Sequence, residues 1–264
     1  MDLYRIVGVN MIDKLILYFK HFPSLLHLAK AKVKETWKYD VILFLIQLII
    51  ISIIIGVMYL FNTEEIEKAQ WIYRMIAFYT FVTIAYIIYK SFKLYKYDYL
   101  IAKSFQLTPI ITPILNALIG AIIICVLSLI TSIFKPVNLE TSVISFVYFI
   151  LMSIIFIVFI SITLGLLTLI SKKVFKFYVV ATIVLFFLVP IIFIPNNKAN
   201  MIDQILKINP LYYLIDGLSS SIVFGAVNMY NIVYHIYFIA FLVLIGVINF
   251  ILTRLVAHKK YEYI

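Results

Sequence analysis

The residues of this chain best suited to chemistry fall into two sets. Tyr212, Tyr213 and Asp216 closely follow Asn209-Pro210. Aromatic faces stack on sugar rings and a carboxylate orders their hydroxyls, so this set fits the mouth of a translocation path. Tyrosines near a membrane boundary also form the aromatic belts that anchor spans, and the residues alone leave both readings open. The second set mixes lysine with aromatics: Lys93, Tyr95, Tyr97 and Tyr99 within 90–106, joined by Lys30 and Lys34 within 23–38. Such residues suit contacts with a cytoplasmic partner. Basic and aromatic residues together also bind single-stranded nucleic acid, but a segment this short between two apolar runs reads as an interfacial loop, and no nucleic acid is expected.

The absences are as informative. None of the seven glycines is followed by lysine, so the phosphate-cradling G-x-x-x-x-G-K-[ST] loop is missing, and neither H-E-x-x-H nor G-x-S-x-G occurs. No catalytic residue, bound cofactor or metal cluster is therefore expected. The single Cys125 lies in an apolar run, has no disulfide partner and reads as packing. A carrier driven by protons or sodium keeps carboxylates deep in its spans. The apolar runs here contain none. Energy for transport would then come from a separate ATPase subunit that binds the ATP, gripping the chain at 23–38 and 90–106.

Those sites must be positioned by elements of an unusually apolar chain. Of 264 residues, 65% are hydrophobic and 13% charged, with a mean hydropathy of +1.11. Soluble domains carry about 25% charged residues, so the composition defines an all-α polytopic membrane protein. Apolar runs place six transmembrane helices at about 41–61, 71–89, 107–134, 142–171, 177–195 and 231–253. Ahead of them, Phe22, Leu25, Leu26, Ala29, Val33 and Trp37 share one helical face and His27, Lys30, Lys34 and Lys38 another. That pattern predicts an amphipathic interface helix over 23–38, its lysines toward anionic headgroups, serving as a simple anchor or as a docking face. Residues 1–20 hold no apolar core with a small-residue cleavage site, so no removable signal peptide is expected.

The fifth apolar run breaks at Pro190 and Pro195 and is followed by Asn196, Asn197 and Lys198. Two short pieces come next, the first amphipathic through Met201, Ile202, Ile205, Leu206 and Ile208, the second opening at Asn209-Pro210. Asn caps a helix and Pro suits its first turn. The order predicts half-helices between spans 5 and 6, tolerated at membrane depth only where their loose backbone groups meet protein or a water-filled cavity. They fit either a mouth or a re-entrant plug. Six spans set both termini on one side, which holds 17 of the 22 basic residues. By the positive-inside rule that side is cytoplasmic and the half-helices face outward. The net charge of +10 is thus a topology signal. Lysine outnumbers arginine 19 to 3 in an isoleucine-rich chain, a composition that hints at an AT-rich bacterial genome; the expected location is the bacterial cytoplasmic membrane.

This layout resembles the permease subunits of ABC-2-type exporters, and within them the exporters of lipid-linked polysaccharides and wall teichoic acids. The matching features are the interface helix, the six spans, the fifth ending at Pro190 and Pro195, and the outer piece Asn209-Pro210-Leu211-Tyr212-Tyr213-Leu214 with Asp216-Gly217. The layout agrees over nearly the whole chain, the residues only over about 177–217. Lys38-Tyr39-Asp40 runs directly into Val41 where the family often carries L-G-x-x-W, and Leu218, Ser219 and Ser220 stand where it commonly places an arginine. The resemblance implies a homodimer of permeases with two nucleotide-binding subunits, extruding a glycan or teichoic acid on its lipid carrier. An export cargo of drug, peptide or lipid, or a membrane assembly role without transport, are the alternatives.

Overall fold

The computed structural model describes residues 11–105, 107–136, 139–192 and 206–257, with side chains from residue 16 onward. Among the described residues all regular structure is helical. The elements are α1 (Met11–Leu60), α2 (Glu65–Ser104), α3 (Ile111–Ile133), α4 (Val143–Ile170), α5 (Val174–Phe187), α6 (Pro210–Val223), a 3-10 turn (Val227–Tyr230) and α7 (Ile232–Ala257). Five of them, α1, α2, α3, α4 and α7, are long and apolar enough to cross a membrane. The chain is a polytopic helical membrane protein.

Two expectations about the first 106 residues are corrected. The interface helix at 23–38 and the span at 41–61 are one uninterrupted helix of 50 residues, about 75 Å long. Pro23 lies inside it, no glycine or proline follows until Gly56, and the helix runs through that glycine to Leu60. The segment expected as a loop at 90–106 is helical as far as Ser104, because α2 runs on to that residue. Lys90, Ser91, Phe92, Tyr95, Asp98, Tyr99 and Ala102 are its buried residues there. Their spacing of three and four is the period of a helix.

The fifth crossing also differs from expectation. Helix α5 has 14 residues, about 21 Å and too short to cross roughly 30 Å of hydrocarbon. It ends at Phe187, ahead of Pro190. Pro195, Asn196, Asn197, Lys198, Met201, Ile202 and Ile205 lie outside the described residues. Helix α6 opens as its residues dictate, with Pro210 in the first turn and the Asn209 side chain accepting from Leu211 N at 3.0 Å. It continues past Gly217 to Val223. The Asn209 amide reaches back to the Leu188 carbonyl at 3.4 Å, so α6 starts where α5 stops.

Helix α2 is central, packing on α3, α4 and α6. Polar bonds hold the helices together: Tyr79 OH to Ser128 Oγ at 2.8 Å joins α2 to α3, and Thr163 Oγ1 donates to Asn249 Oδ1 at 2.8 Å between α4 and α7. Where hydrophobic attraction between helices is weak, such bonds and close packing take over. Glycine makes one approach possible: a Cβ on Gly165 of α4 would stand 2.3 Å from the Tyr95 ring of α2.

Candidate functional site

Helix α6 is the most enclosed element, with every residue from Leu211 to Val223 buried. Tyr212, Tyr213 and Asp216 are 0%, 2% and 8% exposed. Asp216 Oδ1 accepts from Tyr73 OH at 2.6 Å and from Ser220 Oγ at 3.1 Å, and its Oδ2 accepts from Asn228 Nδ2 at 3.1 Å. A desolvated carboxylate needs donors on both oxygens, and α2, α6 and the turn at 227–230 supply them.

Beside this carboxylate, the Tyr213 ring stacks on Phe238 with centroids 4.3 Å apart. Its hydroxyl lies 2.6 Å from His235 Nδ1 and 3.2 Å from Tyr148 OH, while His235 Nε2 is 3.1 Å from the Met229 carbonyl. A carbonyl only accepts, so Nε2 carries a proton, and in the neutral ring Nδ1 then accepts from Tyr213. Gly217 meets Phe149 so closely that a Cβ would sit 2.2 Å from the ring. Tyr212, Tyr213 and Asp216 therefore converge on one polar and aromatic knot. In this conformation they face protein.

The lysine and aromatic set separates into three environments. Lys93 and Tyr97, one turn apart on α2, are exposed, as is Lys96. Tyr95 and Tyr99 point the other way and are buried against Leu166, Leu169 and Val256, so neither can meet a partner here. Lys30 and Lys34 line a groove between α1 and α3 together with Trp37, Leu118, Ile119 and Ile122.

Sequence reasoning passed over the contacts that clamp α1 to α2. Lys32 pairs with Asp98, Lys90 Nζ donates to Asp40 Oδ2 at 2.6 Å, and Gln47 Nε2 donates to Thr83 Oγ1 at 3.1 Å. Steps of eight and then seven residues along α1 are matched by eight and then seven back along α2. Two turns of helix return a residue to the same face, so the three contacts form one antiparallel ladder. A signal was present: the members of each pair are equidistant in sequence from Glu65, the first residue of α2. Tyr73, Asn228, Tyr148 and His235 carried no comparable mark.

Among the described residues no three His, Cys, Asp or Glu side chains gather as metal ligands. These polar and aromatic contacts lie among five helices long and apolar enough to cross a membrane, and the class they define is a polytopic helical membrane protein. The sequence matches no family model and no curated protein.

Proposed function

We propose that the chain is the membrane subunit of an ATP-driven exporter, similar to ABC-2 permeases, that moves a lipid-linked polysaccharide or teichoic acid across a bacterial cytoplasmic membrane. Two copies would flank the path, and two ATPase subunits on the cytoplasmic side would bind and hydrolyse the ATP. With α5 and α6, joined end to end at Leu188 and Asn209, together taking the fifth crossing, both termini, Lys93, Lys96 and Tyr97 would be cytoplasmic and α6 would lie toward the outer face. One observation carries the reading. Helix α2 is a single rod with Tyr73 bonded to Asp216 of α6 near one end and exposed Lys93 and Tyr97 near the other.

From Tyr73 to Tyr97 is about 36 Å at 1.5 Å per residue. A push on the exposed end tilts the rod and draws on Asp216 directly. Because α6 starts where α5 stops, that displacement opens the seam between them and turns Tyr212 and Tyr213 toward the path. The partner surface is Lys93, Lys96 and Tyr97; Tyr95 and Tyr99 serve as the pivot against α4 and α7.

Copurification tests the proposal. A tagged chain extracted in mild detergent retains an ATPase subunit, and Lys93→Glu with Tyr97→Ala releases it. A wild-type chain that never retains an ATPase would refute the reading. With the complex reconstituted, ATP hydrolysis rises on adding the lipid-linked glycan that is the cargo.

A further inference from the structure

We propose that the groove between α1 and α3 is a binding site for an anionic phospholipid, held by its phosphate on Lys30 and Lys34 and by an acyl chain along Leu118, Ile119 and Ile122. The groove has a volume of about 660 Å³ and opens to the outside of the helix bundle. Its depth in the membrane follows from packing. Leu25 and Ala29 of α1 cluster with Leu107 and Ile111 at the start of α3. Lys30 and Lys34 therefore stand beside the first turns of a span that carries no charge up to Phe134. That is headgroup level, and the apolar wall descends from it.

The two lysines are free to act. The ion pairs found among the described residues use Lys32 and Lys90, whereas Lys30 and Lys34 are exposed and paired with no carboxylate there. Lying one turn apart on one face, they can converge on a single phosphate. Trp37 follows one turn further on, at the boundary depth that indole prefers. Basic recesses between spans on the cytoplasmic side are suited to acidic lipid heads, and each lysine near such a surface contributes about fivefold in affinity.

Other occupants fit less well. A soluble partner would have to press its surface against Leu118 and Ile122, which line the apolar part of a span. A second copy packed symmetrically across this groove would set Lys30 and Lys34 against their own copies. An amphiphile with a negative head and an apolar tail satisfies both halves of the groove. The inference stands apart from the exporter reading.

Trp37 is a built-in reporter, because the chain has only two tryptophans and Trp71→Phe leaves it alone. The full-length W71F protein is placed in phosphatidylcholine nanodiscs with increasing brominated phosphatidylglycerol, whose bromines quench indole on contact. A matched series carries the bromines on phosphatidylcholine. Half-quenching is expected at a brominated phosphatidylglycerol fraction on the order of tenfold below that needed with brominated phosphatidylcholine. Lys30→Gln with Lys34→Gln abolishes the preference; Lys30→Arg with Lys34→Arg, or Lys172→Gln with Lys173→Gln, keeps it. If the glutamine pair does not fold, raising salt to 1 M in the W71F protein weakens the preference instead. Equal quenching by the two lipids, quenching by neither, or a preference that survives both the glutamine pair and high salt overturns the proposal.

Discussion

The Asp40–Lys90 contact gives the sharpest test of how the first two helices are held. Both side chains are buried, 7% and 6% exposed, with Nζ and Oδ2 2.6 Å apart. At that separation and an effective dielectric constant of about 20, the attraction is roughly 6 kcal/mol. Desolvation costs several kcal/mol for each ion, so the intact pair contributes little net stability. Removing one partner is a different matter, because the remaining charge stays buried without compensation. Lys90→Met is expected to cost about 3–5 kcal/mol, and Asp40→Leu a similar amount. The double variant D40L/K90M should return to within about 1 kcal/mol of the original protein, or exceed it, since neither charge is then buried.

Equilibrium unfolding in mixed detergent and SDS, followed by far-ultraviolet circular dichroism, measures all four proteins of the cycle. Lys32→Met should cost less than Lys90→Met, because Lys32 is 17% exposed and water reaches Asp98 once the side chain is shortened. The reasoning fails if Lys90→Met changes stability by less than about 1 kcal/mol, or if the double variant is no better than its worse parent.

Further outcomes follow from α6 and the loops. Gly217→Ala drives a Cβ to 2.2 Å from the buried Phe149 ring; it should lower stability by about 1–3 kcal/mol in thermal unfolding of the extracted protein, and Phe149→Leu should relieve most of that. Tyr213→Phe deprives His235 Nδ1 of the donor at 2.6 Å, with an expected loss of about 1–3 kcal/mol in the same assay. Asp216→Ala strands the Tyr73 and Asn228 donors and should uncouple α2 from α6, seen as faster hydrogen exchange over 210–223 with little change over 143–170. Burial holds the Lys135 ammonium below the ordinary lysine value, with Glu140 opposing in part. More of its amine is therefore uncharged at pH 8, so a membrane-impermeant acylating reagent added to intact cells should modify Lys135 quickly and leave Lys93 and Lys96 untouched until permeabilisation. Labelling in the opposite order would reverse the proposed orientation.

Membrane embedding was legible in the amino-acid order because hydropathy is a local sum: the apolar runs at 107–134, 142–171 and 231–253 coincide closely with α3, α4 and α7. The start of α6 was legible for the same reason, since Asn209 and Pro210 cap a helix by chemistry confined to a few residues. The continuity of α1 and α2 was obscured because charges among apolar residues read as interface and loop, and only packing shows Tyr95 and Tyr99 on the inner side of a helix whose outer side bears Lys93 and Tyr97. Partner choice needed tertiary structure altogether. Tyr73 and Asp216 lie 143 residues apart in sequence, and nothing local to either selects the other. Which helix faces meet fixes which polar groups lose water together, and those groups must then satisfy one another.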